Sequence, residues 1–95
     1  MPTYERLLRF DRDYESLSDS QRKRFRAAVA KFVHDLERGE GFRKGLRVKG
    51  VQGSPGLFEL TWDADGRATF SYGESVRDRE PHVVWHRVGT HEIFG

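Results

Sequence analysis

The chain reads as an α+β fold: two helices near the N-terminus, then a meander of three strands, with an N-terminal strand joining the same sheet. Three observations predict this. Apolar residues recur at helical spacing up to Leu36 and not beyond it. After Leu57 an aromatic and β-branched alternation of period two replaces them. Asp63-Ala64-Asp65-Gly66, whose Asp and Gly tolerate the positive φ of a tight turn, separates two of the alternating runs.

Taken in order, Tyr4 to Phe10 reads as a strand, with Tyr4, Leu8 and Phe10 offset from Leu7. Phe10, Tyr14 and Leu17 then fall at helical spacing, which predicts a short first helix or a single turn. The second helix has a start signal, Ser18 with Gln21 three residues on as a capping box. Its apolar stripe is Phe25, Ala28, Val29, Phe32, Val33 and Leu36, and Gly39 is placed to end it in a left-handed conformation. That stripe is core, with His34 at the surface or boundary beside it. Gly39 to Gly45 is a loop, Leu46 to Val51 a strand or extended lead-in, and Gly53-Ser54-Pro55-Gly56 a turn. Leu57 to Trp62 and Arg67 to Tyr72 are the two arms of the hairpin, and a polar connection from Gly73 to Pro81 leads into the last strand. In that strand alternation puts Val84 and His86 on one face and Val83, Trp85 and Arg87 on the other. Gly89 breaks it. Thr90 can cap one turn of helix that holds His91 and Phe94 on the same side.

Ninety-five residues of low hydropathy suit one domain, residues 1–95, with a modest core. No apolar run is long enough to span a membrane and no cleavable leader is recognisable, so a cytoplasmic protein is expected. Without cysteine there is neither a disulfide framework nor a thiolate zinc site. The four histidines lack a metal spacing, so no metal and no cofactor is expected. Net charge is +2, unevenly spread: residues 22–49 carry ten Lys and Arg against three Asp and Glu, a net +7. Arg22, Lys23, Arg24 and Arg26 sit where an amphipathic helix shows its wet face. Arg43, Lys44, Arg47 and Lys49 crowd a glycine-bounded segment that feeds a strand, and phosphate contact is the expectation there.

The final residues RVGTHEIFG, with FRKGLRVKGVQGSPGLFELTWDADGRATFSYG upstream, resemble the RelE/ParE toxin superfamily, most of all its YafQ-type ribonuclease branch. The resemblance is strong in the last nine residues and one of pattern before Phe42. It implies a RelE-like β-α-α-β-β-β order, a twisted, mainly antiparallel sheet with both helices on one face and an active groove on the other. It also implies the toxin of a toxin–antitoxin pair: a ribosome-dependent mRNA endonuclease that uses no metal, with a cognate antitoxin and mRNA on the ribosome as partners. The alternative is a binding protein on the same fold, a ParE-like inhibitor of DNA gyrase or an inactive relative.

By the same resemblance His91 is the general acid, Arg87 and Arg67 clamp the scissile phosphate, and Phe94 stacks on a base. Arg67 has a second reading, a hairpin salt bridge with Asp63 or Asp65, and Arg22 to Arg26 have a second reading as antitoxin contacts. For the general base the candidates are Asp65, then Asp63 and Glu59, with Lys49 as another. Thr61 stands where the branch carries a histidine, and the spacing from His91 to Phe94 is one residue shorter than in that branch.

Overall fold

In the computed structural model, which describes residues 1–95, the order of elements is β1 (Thr3–Arg6), α1 (Leu8–Glu15), α2 (Asp19–Arg38), β2 (Lys49–Gly50), β3 (Phe58–Thr61), β4 (Gly66–Gly73) and β5 (His82–Thr90). Single 3-10 turns cover Lys44–Leu46 and His91–Phe94. The strands form one five-stranded sheet in the order β1-β5-β4-β3-β2, antiparallel throughout except for the parallel pair β1–β5.

Local chemistry sets α2. The Ser18 hydroxyl accepts the Gln21 N–H at 3.1 Å and the Gln21 side chain accepts the Ser18 N–H at 2.8 Å, so two of the orphan donors at the helix start are satisfied. Gly39 ends the helix at a φ of 69°, a conformation that costs a side-chain-bearing residue more. β1 is shorter than expected. Its last ladder bond runs from the Leu7 N–H to the Trp85 carbonyl, and the chain then turns helical at Leu8, because only a helix carries Phe10 onto Trp85 and Phe25.

Both helices lie on one face of the sheet, and aromatic side chains join the layers. Phe32 packs edge-on against Phe70, ring centroids 4.9 Å apart, and Phe25 meets Trp62 and Trp85 in the same way at 6.0 and 5.8 Å. Leu60, Ala68, Val83 and Val88 complete the strand side of this core. The basic start of α2 is less free than its pattern implies. Arg22 donates to the Tyr14 and Glu15 carbonyls that end α1, Arg26 donates to the Tyr14 hydroxyl, and Arg24 pairs with Asp63. Unsatisfied carbonyls at a helix end draw such donors in.

Candidate active site and cationic hollow

β5 carries the C-terminal motif, and its register contains one irregularity. Phe70 faces Trp85 and Thr69 faces Arg87, so His86 is an extra residue with no partner across the ladder. This bulge corrects the alternation expected from sequence. Trp85 and Val88 are both buried against the helices, whereas Arg87 pairs with Thr69 on the opposite face of the sheet. His86 lies there too, its Nε2 2.8 Å from the Ser71 hydroxyl.

Beyond the bulge the chain reaches the terminal turn. A Cβ on Gly89 would lie 2.8 Å from Ile93 Cγ2, so glycine here lets the last turn fold back on the strand. The Thr90 hydroxyl accepts the Glu92 N–H at 3.3 Å and caps that turn. The exposed His91 ring then meets Phe94 edge-on at 5.4 Å, and Phe94 is itself partly exposed. Asp65 comes to the same place. Gly66 pairs with Thr90, so Asp65 and His91 are the next residues outward from the last rung of the β4–β5 ladder. Asp65 is exposed and makes no ion pair, unlike Asp63, which is held by Arg24 at 3.2 Å, and Glu59, which faces Lys49 Nζ at 3.5 Å.

The two arginines expected to clamp a phosphate lie two rungs apart on adjacent strands and bond to different partners. Arg87 donates through Nε and Nη2 to both carboxylate oxygens of Asp13, at 2.6 and 3.2 Å, and Asp13 also accepts the Val88 N–H at 3.2 Å. That backbone donor lies past the end of β1, where no strand covers the edge of β5, so the α1 carboxylate takes the place of a ladder partner. Arg67 turns the other way. Its Nη1 donates to the Gly66 carbonyl at 2.9 Å and reaches those of Asp63 and Ala64 at 3.4 Å, in place of a salt bridge with Asp63 or Asp65.

Arg67 thereby lines a hollow of about 560 Å³ that the sequence did not disclose. Arg24, Ala27, Ala28 and Lys31, one stripe of α2, form one wall, the Gly45–Arg47 turn a second and the β3–β4 hairpin a third. Arg43 also lines it. Its Nε and Nη2 grip Asp35 at 2.9 and 2.8 Å and its own backbone N–H adds a third bond at 2.9 Å. These bonds hold the Asp35 carboxyl well below the usual carboxylate range and raise the guanidinium of Arg43 above its own. Asp35 sits among the polar positions of α2, and nothing in the sequence marks it as buried. Lys44 and Lys49 are exposed outside the hollow. No group of three or more His, Asp or Glu side chains is placed to hold a metal ion, and no helix is long and apolar enough to cross a membrane.

No protein-family model matches the chain, and no curated protein matches it in sequence. Solved structures do match, and they place the chain in the fold of the RelE/ParE-type toxins, the arrangement expected from its C-terminal motif. A chain of the E. coli DinJ–YafQ complex aligns over 100% of both chains, with a TM-score of 0.68 and 14% identity. The RelB–RelE complex of Methanococcus jannaschii aligns over 94% of this chain and 92% of its own, at 0.61 and 12%. The YoeB/ParE toxin from Agrobacterium tumefaciens aligns over 94% and 98%, at 0.66 and 14%. At these identities the likeness is one of fold.

Proposed function

We propose that this chain is the toxin of a toxin–antitoxin pair and a ribosome-dependent endonuclease that cuts mRNA without a metal. The observation that carries the reading is the Gly66–Thr90 rung, because it presents an unpaired carboxylate, Asp65, and an exposed imidazole, His91, side by side at the end of two strands. Cleavage by the 2′-hydroxyl needs one group to take its proton and another to protonate the departing 5′-oxygen, and a carboxylate and an imidazole are side chains that can do so. Asp65 takes the first role and His91 the second. Arg87 still has Nη1 free of the Asp13 fork to offer to a phosphate oxygen, and Phe94, already against His91, offers a face on which a base can stack. The antitoxin is the expected protein partner, since the DinJ–YafQ and RelB–RelE structures that this fold resembles are toxin–antitoxin complexes.

A second reading, a binding protein on this fold such as a gyrase inhibitor, is favoured by one observation: Arg87 and Arg67 are each tied to a partner inside the protein and line different walls. Induced expression separates the two. The nuclease reading predicts growth arrest with new 5′ ends inside translated messages, relieved by the product of a neighbouring gene. Growth arrest with intact messages and blocked supercoiling by gyrase would establish the second reading instead.

A further inference from the structure

We propose that the hollow between α2, the Gly45–Arg47 turn and the β3–β4 hairpin is an anchoring site for the phosphate backbone of single-stranded RNA. It is separate from the His91 turn and independent of whether His91 cleaves. Arg24, Lys31, Arg43, Arg47 and Arg67 converge there with Asp63 as the one carboxylate in the lining. Three of these cations are held by the protein itself with donors to spare. Arg24 uses Nε on Asp63, Arg43 uses Nε and Nη2 on Asp35, and Arg67 uses Nη1 on hairpin carbonyls. Fixed guanidiniums with unused N–H groups are preorganised for oxyanions.

The other two, Lys31 and Arg47, make no ion pair. Arg47 moreover sits at a φ of 47°, a left-handed conformation in which glycine would be unstrained. An arginine kept at a position that favours glycine points to a use for its side chain.

The lining also argues for RNA over an acidic peptide. Its apolar members are small, Ala27, Ala28 and Ala64, or buried, Leu46 and Trp62, so a peptide would find no pocket for an anchoring side chain. The apolar groove of this molecule lies on the other side of α2, along Tyr4, Phe10, Val29 and Trp85, where a protein partner would find such anchors. A chain of phosphates needs only the charges.

The test is fluorescence anisotropy of the full chain with a labelled 2′-O-methyl oligouridylate 15-mer, which has no 2′-hydroxyl to attack and so reports binding alone, measured across a salt series. Lys31→Gln with Arg47→Gly removes two cations that bond to nothing else. Each lost contact should flatten the salt dependence by about 0.7, and the pair should weaken binding on the order of tenfold near 0.1 M salt. Asp63→Asn, which deletes the carboxylate, should tighten binding, and Lys23→Gln, which removes an exposed cation outside the hollow, should leave it unchanged. An unaltered slope in the double variant overturns the proposal. So does polyglutamate of equal length binding as tightly as the RNA and losing as much in the variant, because the hollow is then a peptide site. Loss of binding in Lys23→Gln equal to that in the double variant also overturns it, since any surface cation would then serve as well as the hollow.

Discussion

Asp35 and Asp13 lie on different helices and make the same three bonds, a bidentate arginine fork and one backbone N–H, yet they leave their arginines in different states. Arg43, gripped by Asp35, keeps 43% of its side chain exposed and faces the cationic hollow, whereas Arg87, gripped by Asp13 at the open edge of β5, keeps 25%. The first fork ties a loop to its helix, eight residues away, and presents a charge. The second closes the open edge of β5 across 74 residues and leaves only Nη1 of its guanidinium uncommitted. The same set of bonds therefore serves presentation in one place and sheet closure in the other, and what decides is where the backbone donor comes from.

Removing the second fork gives the largest expected effect. Asp13→Ala leaves the Arg87 guanidinium and the Val88 N–H without an acceptor at a part-buried site, and should cost about 2–4 kcal/mol, read from urea unfolding; a variant as stable as wild type would mean that the strand edge needs no closure. Next, the Asp13→Ala/Arg87→Ala double-mutant cycle should return a coupling of about 1–2 kcal/mol. Additive losses would show that the two side chains act independently.

The first fork is exposed by acid. The folded carboxyl of Asp35 is depressed, so its stabilising contribution is complete above the unfolded carboxylate value of about 3.9 and is lost as pH falls from there through the depressed folded value. Asp35→Asn should flatten the acid limb of stability against pH, and equal acid limbs in Asp35→Asn and wild type would contradict the assignment. The smallest effect concerns the hollow. Arg47→Gly relieves a left-handed backbone and should stabilise the fold by about 0.5–1 kcal/mol, measured by thermal melting, and a loss of stability would show that the Arg47 side chain helps to hold the fold.

Legibility in the sequence follows the range of the interaction. The α2 cap at Ser18 and Gln21, its stop at Gly39, the Asp63–Gly66 hairpin and the Thr90 cap with its His91–Phe94 pair all act within a few residues, and each is found as expected. The α+β order follows from them and the RelE-like sheet from the resemblance of the C-terminal motif, except that Leu46 to Val51 gives only a two-residue strand, Lys49–Gly50, after a 3-10 turn. The face of Arg87 was not legible, because the bulge at His86 comes from how β4 and β5 align and not from alternation within β5. Asp13, Asp35 and the gathering of Arg24 and Lys31 with Arg47 and Arg67 join residues far apart in the chain, and no spacing rule encodes them. A pattern search finds the terminal turn; only packing discloses the hollow.

The central claim is that His91 donates the proton to the leaving 5′-oxygen, and single-turnover cleavage of a message on programmed ribosomes by wild type and His91→Ala tests it most directly. His91 is exposed in a turn capped by Thr90 through its own neighbours, so the variant should melt with wild type. Its cleavage rate should fall by roughly 100- to 10,000-fold, the range for loss of a positioned proton donor. An equally stable His91→Ala variant that cuts the message at the wild-type rate would contradict the account.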